Sequence, residues 1–392
     1  MSVYDLVIVG GGIHGAGVAQ AAAAAGHTVL VLEQSAIAAG TSGRSSKLIH
    51  GGLRYLESGQ LRLVRESLYE RATLLRLAPD LVHLRRFHIP IYRATRRRPW
   101  QLRVGLSAYS VLAGLDGAAR FGTVPRDRWH DLDGLETRDL RKVFWYYDAQ
   151  TDDQALTRAV MRSAAALGAH VTVPARFVRA TLGAREVQVL HSGPAGDAEC
   201  HARVLVNAAG PWAAAVARRI APAVPVPEID LVQGTHISCA GRLERGMYYV
   251  ESPRDGRAVF VMPWREQVLI GTTEVRFRGD PAAVHPTEPE VSYLLGVVRH
   301  YFPRYRDLDA SRLTGSFAGL RVLPAGPGHA FHRSRETLLV TDRPNHPRLL
   351  SIYGGKLTTY RAVAERIMTR IAGSLANGRP IARTDRLPLT AD

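Results

Sequence analysis

The first 33 residues of the chain hold the pattern that most constrains its fold. An apolar run at residues 4–9 leads into Gly10-Gly11-Gly12-Ile13-His14-Gly15, an alanine-rich helix at 16–25 and a second apolar strand at 28–32. The glycines at the first, third and sixth positions of GxGxxG permit a tight turn, a close approach of the backbone to a pyrophosphate and close helix packing. Glu33 ends the second strand, where a carboxylate can accept hydrogen bonds from a ribose. The sequence therefore predicts a βαβ unit that binds a dinucleotide.

Three later features favour FAD over NAD as that dinucleotide. The loop at 44–50 follows the second strand closely and can fold back over the pyrophosphate and flavin. The segment VLVNAAGPW at 204–212 reads as a strand that ends in small residues, which suits close contact with a nucleotide. Another apolar strand at 349–353 meets Gly354-Gly355 before an amphipathic helix at 358–371, and the N-terminus of this helix can stabilise negative charge on a reduced isoalloxazine.

Length and composition indicate a globular chain. With 392 residues, 46% of them hydrophobic, the chain is long enough for two domains. Cys200 and Cys239 form no CxxC pair, and the chain starts with a strand rather than a secretory signal, so we expect a cytoplasmic protein. No apolar stretch approaches the roughly 20 residues of a membrane-spanning helix. No metal site is expected.

The net charge of +16 is compatible with nucleic acid, anionic lipid or phosphorylated metabolites as partners. Because no helix-turn-helix, zinc or single-strand-binding module is recognisable, we expect no nucleic-acid partner. Five arginines surround Pro99-Trp100 before an apolar stretch at 102–115, and two interpretations stay open: an amphipathic helix in peripheral contact with anionic membrane, or a solvated basic loop before a core helix. These arginines are Arg93, Arg96, Arg97, Arg98 and Arg103.

A second domain is indicated by segments of alternating polarity at 234–239, 246–252, 258–263 and 267–273, which predict an antiparallel sheet. The predicted fold class is α/β, with a discontinuous Rossmann-like FAD-binding domain and an antiparallel-sheet substrate or cap domain. We assign residues 1–75, 145–222 and 315–392 to the first domain, and residues 76–144 and 223–314 to the second.

Two segments at opposite ends of the chain point to an anionic ligand. They read SSKLIHGGLRY at 45–55 and YGGKLTTYR at 353–361, and they contain two of the three lysines, Lys47 and Lys356. Glycines allow such segments to fold closely around a ligand, and their charged donors can hydrogen-bond to it.

These two segments, together with the motifs VIVGGGIHGAG, YYDAQTDDQAL, VNAAGPWA, LVQGTHI, VFVMPW, LIGTTE and AGLRVLP, resemble the FAD-dependent glycerol-3-phosphate dehydrogenase family, which includes glycerol-3-phosphate oxidases. The resemblance spans residues 7–361 and implies a fold similar to that of the D-amino-acid-oxidase-like flavoproteins. The family's longer members continue into a helical carboxy-terminal domain that we expect this chain to lack, which leaves the oligomeric state and the docking of an electron acceptor open.

The resemblance implies oxidation of sn-glycerol 3-phosphate to dihydroxyacetone phosphate, with hydride transfer to flavin N5. Electrons would pass on to a quinone or another acceptor such as oxygen, and the sequence does not decide between them. His50 is the expected general base, since an imidazole titrates near neutral pH, and Arg321 is expected to stabilise the developing alkoxide. The expected substrate-binding residues are Arg54, Tyr55, Arg335 and Lys356, with Arg333 as an alternative to Arg335.

The resemblance and the βαβ unit together assign the expected FAD contacts. They are Gly10, Gly12, Ile13, His14, Gly15, Glu33, Gln34, Thr41, Ser42, Ser46, Lys47, Leu48, Val178, Ala208, Gly210, Trp212, Gly319, Gly354, Gly355, Lys356, Leu357 and Thr358. Two alternatives stay open: a flavin oxidase or dehydrogenase of the same fold that acts on an amino acid or a 2-hydroxy acid, and a catalytically silent flavin-binding protein.

Overall fold

Two β-sheets organise the chain in a computed structural model, which describes residues 3–57, 59–114, 117–326 and 336–391. The first sheet contains nine strands of this part of the chain: β1 (Val3–Val9), β2 (Val29–Leu32), β7 (His170–Thr172), β8 (Arg176–Leu182), β9 (Val187–Gly193), β10 (Gly196–Asn207), β11 (Ile220–Ala221), β18 (Leu338–Thr341) and β19 (Leu349–Tyr353). The second contains ten: β3 (Leu48–Ile49), β4 (Val82–Tyr92), β5 (Phe121–Thr123), β6 (Leu140–Thr151), β12 (Ile229–Ala240), β13 (Met247–Glu251), β14 (Ala258–Trp264), β15 (Gln267–Gly271), β16 (Val275–Phe277) and β17 (Leu313–Pro324).

Seven α-helices of the described chain pack around these sheets. They are α1 (Ile13–Ala24), α2 (Leu61–Leu77), α3 (Pro99–Leu112), α4 (Asp153–Ala166), α5 (Ala213–Ala217), α6 (Glu288–Tyr301) and α7 (Tyr360–Ile371). None of these helices combines the length and the apolar content needed to cross a bilayer. Helix α1 is buried almost all round, because its alanines and glycines let β1, α4 and α7 pack closely against it.

The parallel centre of the first sheet confirms the predicted βαβ unit. Strand β1 pairs in parallel with β2 on one side and β10 on the other, and β10 pairs in parallel with β19. Because parallel strands end at the same edge of a sheet, the residues that follow them meet there. This edge brings together Gly10, Glu33, Ala208 and Gly354 from distant parts of the chain. It is the position at which open α/β sheets bind nucleotides.

The second sheet confirms the strands predicted from alternating polarity, which lie at 229–240, 247–251, 258–264 and 267–271. Its pairing is antiparallel except where β13 runs parallel to β4. Strand β17 pairs with β12 in a register that places Arg321 opposite Val232 and Gly319 opposite Gly234. This register determines where Arg321 meets the cavity described below.

The predicted domain boundaries remain a prediction, and the sheets divide the chain somewhat differently. Strand β6 and the residues of β17 beyond 315 belong to the second sheet, although the sequence assigned residues 145–151 and 315–324 to the first domain. Strand β3 likewise pairs with β6. Cys200 and Cys239 are buried free thiols, and in the described chain no three His, Cys, Asp or Glu residues gather as ligands for a metal ion.

Candidate active site

A cavity of about 790 Å³ runs from the carboxyl edge of the first sheet to the face of the second. Most of the residues expected to contact FAD line it: Gly10, Gly12, Ile13, His14, Glu33, Gln34, Thr41, Ser42, Ser46, Leu48, Ala208, Gly210, Trp212, Gly319, Gly354, Gly355, Lys356, Leu357 and Thr358. His50, Arg54, Tyr55 and Arg321 line it as well. The fold thus brings both groups of expected site residues to one cavity.

The glycine-rich turn after β1 has the form of a dinucleotide cradle. Gly10 has a φ of +110°, and a Cβ atom there would lie 2.7 Å from the carbonyl oxygen of Ala208. The Glu33 carboxylate accepts a hydrogen bond from the Gly11 amide at 2.7 Å, which holds it beside the turn. A carboxylate has about four acceptor positions, so Glu33 can also accept from a ribose. The N-terminus of α1, which follows Gly12, is open to a pyrophosphate. Together with the Glu33 carboxylate it provides the groups that FAD requires.

Three of the expected FAD contacts do not line the cavity. A Cβ atom on Gly15 would lie 1.9 Å from the carbonyl oxygen of Gly10, so this glycine serves the packing of α1 against the turn. Val178 does not line the cavity although Arg176 and Phe177 do, and the register of β8 with β9 shifts between Phe177 and Arg179. Lys47 is the third.

The structure turns the Lys47 ammonium away from the cavity, so the expected contact of Lys47 with the cofactor finds no support in the position of this group. Its ammonium is buried, 2.5 Å from the Asp153 carboxylate, and donates to the carbonyl oxygen of Gly43 at 2.9 Å. The rings of Trp264 and Phe317 cover the same ammonium at 5.6 and 5.1 Å. Lys47 therefore anchors the 45–55 segment to the start of α4 instead of facing a ligand.

The 45–55 and 353–361 segments meet at the second-sheet end of the cavity. The His50 amide donates to the Thr358 hydroxyl at 3.2 Å. The Lys356 ammonium lies 4.0 Å from the centre of the Tyr55 ring, and the Arg54 guanidinium lies 5.1 Å from it. His50 and the two cations Arg54 and Lys356 thus share one wall of the cavity.

Arg321 reaches the same region and has partners that sequence reasoning missed. It donates to the Glu274 carboxylate and to the Thr272 hydroxyl, both at 3.0 Å. Glu274 also lies 3.9 Å from Arg54 and is almost fully buried. The motif LIGTTE contains Thr272 and Glu274 and could have indicated these two partners from the sequence. Glu274 thus accepts a hydrogen bond from Arg321 and forms a longer ion pair with Arg54.

Another missed residue is His236, in the motif LVQGTHI. Burial, with added repulsion from Arg321 and Lys47, lowers the pKa of His236 to about 3. Its Nε2 atom lies 3.0 Å from the Ser46 hydroxyl, and its ring stacks on Phe317 with centres 4.8 Å apart. An imidazole with so low a pKa is a poor proton acceptor at neutral pH, so His236 does not compete with His50 for the role of base.

The arginines at 333 and 335 lie outside the described residues, so the choice between them as phosphate ligands stays a prediction.

Comparison with known proteins identifies the family. Residues 5–361 match the family described as DAO, FAD dependent oxidoreductase. This chain belongs to that family. It is 39% identical to the glycerol-3-phosphate dehydrogenase of Pseudomonas aeruginosa over 99% of this chain and 75% of that protein. It is 36% identical to the D-erythritol 1-phosphate dehydrogenase of Brucella abortus, over 94% of this chain and 73% of that protein.

A solved structure gives the same result for the fold. The glycerol-3-phosphate dehydrogenase of Bacillus halodurans, complexed with FAD, superposes with a TM-score of 0.79 at 26% identity, covering 99% of this chain and 68% of that one. The predicted fold class, the FAD cofactor and the family resemblance are thereby confirmed. The protein is an FAD-dependent oxidoreductase.

Proposed function

We propose that this flavoprotein oxidises sn-glycerol 3-phosphate to dihydroxyacetone phosphate. The observation that carries the proposal is the convergence of His50, Arg54, Arg321 and Lys356 on one end of the FAD-family cavity. The relatives from P. aeruginosa and B. abortus are both named as dehydrogenases of polyol phosphates, which supports a substrate with a hydroxyl and a phosphate. An amino acid or a 2-hydroxy acid has no phosphate group, so most of these cations would lack the group that they are proposed to bind.

The edge of the first sheet would hold FAD. The backbone at Gly12 and the start of α1 would bind its pyrophosphate, and Glu33 its ribose. Gly354 and Gly355, which have φ values of +80° and +108°, keep the wall beside His14 free of side chains. When bound, FAD accepts the hydride that leaves C2 of the substrate.

The residues at the other end bind and activate the substrate. Arg54 and Lys356 pair with the phosphate, and Tyr55, whose ring both cations contact, adds a hydroxyl donor. His50 takes the proton of the C2 hydroxyl at its imidazole as the hydride departs from C2. The substrate thereby loses one hydride and one proton, which is two electrons and two protons in all, and the C2 alcohol becomes a ketone. Arg321, held by Glu274 and Thr272, stabilises the negative charge that develops on that oxygen.

Arg54→Ala is expected to weaken substrate binding by roughly 2 to 5 kcal/mol, because it removes one partner of a desolvated charge pair. The measurement is the dissociation constant of dihydroxyacetone phosphate, which binds without turnover. Arg86→Ala, which removes a guanidinium that stacks on Trp145 outside the cavity, is the matched control. An unchanged constant in Arg54→Ala would assign the phosphate to other cations.

We also propose that α3 rests on an anionic membrane surface. One stripe of the helix exposes Trp100, Val104 and Val111, which are 67%, 61% and 63% exposed, beside Arg98 and Arg103. The opposite face buries Leu102, Leu106 and Tyr109. An apolar stripe bordered by arginines suits the interface of an anionic bilayer, where a quinone would be accessible as the electron acceptor.

The double substitution Trp100→Ser/Val104→Ser is expected to lower the protein's affinity for vesicles that contain anionic lipid several-fold, because it removes apolar area from the contact. Co-sedimentation with vesicles measures this directly. Ile381→Ser, which changes an apolar residue that is 64% exposed elsewhere, is the control. Equal binding by all three proteins, or equal binding to purely zwitterionic vesicles, would contradict the contact.

An anaerobic titration tests the proposed reaction. The purified holoenzyme is mixed with sn-glycerol 3-phosphate, its other stereoisomer, glycerol and D-erythritol 1-phosphate, and the visible flavin band is followed. Bleaching by sn-glycerol 3-phosphate at the lowest concentration supports the proposal. Preferential bleaching by D-erythritol 1-phosphate would assign the longer polyol phosphate as the substrate instead. A flavin that none of these compounds bleaches would overturn the proposal.

A further inference from the structure

The backbone around His50 is held by tertiary contacts on both sides. Gly51 and Gly52 follow His50, and glycine gives a chain more conformational freedom than any other residue. On one side, the His50 amide is bound to Thr358. On the other, the Gly51 amide donates to the Tyr109 hydroxyl at 2.8 Å and lies 3.3 Å from the Asp148 carboxylate. A flexible segment is thereby restrained next to the proposed base.

The groups that hold Gly51 form a buried cluster contributed by three elements. The Tyr109 hydroxyl, from α3, lies 2.8 and 2.9 Å from the two oxygens of Asp148 in β6. Arg71, from α2, donates to Asp148 at 2.7 Å and to the carbonyl oxygen of Tyr147 at 2.8 Å. All three side chains are at most 2% exposed. Because Asp148 accepts from both Arg71 and Tyr109, the phenol oxygen is oriented to accept from the Gly51 amide.

Close approach of the backbone is part of this arrangement. A Cβ atom at Gly51 would lie 2.4 Å from the Tyr109 hydroxyl and 2.5 Å from Leu68 Cδ2. An ion pair between Arg71 and Asp148 would be sufficient to join α2 to β6. The phenol of Tyr109 connects this ion pair to the amide of Gly51, the residue that follows His50.

We propose that Tyr109 and Asp148 are positioning residues that set the place of the His50 imidazole at the substrate. This inference rests on the proposed function for its catalytic meaning, but the restraint on Gly51 does not. A misplacement of about 1 Å at a reacting group can cost on the order of 100-fold in rate. Loss of the phenol is therefore expected to affect the reaction step more than substrate binding.

Tyr109→Phe is the sharpest test, since it keeps the ring and removes only the hydroxyl. We expect the rate of flavin reduction at saturating sn-glycerol 3-phosphate to fall by about 10- to 100-fold, while KM changes less than about threefold and FAD content stays the same. Tyr92→Phe removes a buried phenol that donates to the carbonyl oxygen of Glu136, at a place where neither residue lines the cavity, and is expected to react normally. A Tyr109→Phe enzyme with an unchanged rate would overturn the proposal.

A second measurement does not depend on turnover. Hydrogen–deuterium exchange of the peptide that contains Gly51 is expected to be faster in Tyr109→Phe and Asp148→Asn than in the wild type, and unchanged in Tyr92→Phe. Faster exchange supports the restraint even if wild-type protein fails to react with any polyol phosphate, a result that would count against the proposed function alone. Wild-type exchange in Tyr109→Phe would overturn the restraint whatever the substrate is.

Discussion

His50→Asn is expected to retain FAD and to slow flavin reduction by sn-glycerol 3-phosphate by about 100- to 10,000-fold, the usual contribution of a general base. His50→Ala should behave alike. The reason is that hydride leaves C2 readily only if the hydroxyl proton is removed with it, and the other histidines of the cavity cannot replace the base. Burial lowers the pKa of both His14 and His236, to about 4 and about 3. Anaerobic stopped-flow absorbance of the flavin band measures the rate.

His83→Asn is the matched control for His50→Asn, since it changes an exposed histidine of β4. Near-normal reduction in His50→Asn would remove His50 from the mechanism. A loss of FAD in this variant would show instead that the residue holds the cofactor cavity together.

Asp153→Asn is expected to lower the free energy of unfolding by roughly 3 to 5 kcal/mol, because it leaves the buried ammonium of Lys47 without its carboxylate. Urea denaturation followed by circular dichroism measures the change. Asp152→Asn, at the adjacent position, is the control: Asp152 caps α4 by accepting from the amides of Gln154 and Ala155, and asparagine caps about as well as aspartate.

The reciprocal change separates the ion pair from its surroundings. Lys47→Met should cost less than Asp153→Asn, because Asp153 still accepts from the amide and hydroxyl of Ser45 and from the amide of Gln154. The double variant should be more stable than Asp153→Asn, since no unpaired ammonium stays buried. A double variant with the summed loss of both single variants would contradict the coupling between Lys47 and Asp153.

Local patterns predicted the elements well where each strand or helix depends on its own residues. The apolar run before Gly10 and the alternation of polarity between residues 234 and 273 are signals that neighbouring residues carry by themselves. The helix α7 begins at Tyr360, two residues later than predicted, after a Thr359 that stands at its N-cap. Boundaries between domains were less readable, because strand pairing of β6 and β17 with distant partners decides which sheet they join.

Local sequence patterns could not predict the direction in which long side chains point. Lysine in a glycine-rich segment suggested a ligand contact at both Lys47 and Lys356, and the two differ only in what the fold places nearby. Lys47 meets Asp153, 106 residues away in the chain, whereas Lys356 lines the cavity beside Tyr55. Burial of an ammonium group is costly without a carboxylate beside it. The residues that the fold places next to each lysine therefore determine whether it has a structural role or faces the cavity.

The sequence by itself determined the βαβ unit, the cradle at Gly10, the acid at Glu33 and the identity of the charged groups, since glycine spacing and strand periodicity act over a few residues. Only the tertiary structure decided which charges face the cavity. The pairing of Arg321 with Glu274, the burial of Lys47 and the restraint of Gly51 by Tyr109 each join residues 47 to 106 positions apart. The physical reason is that burial and partner charge, which set the energy of an ionised side chain, arise only when distant elements pack together.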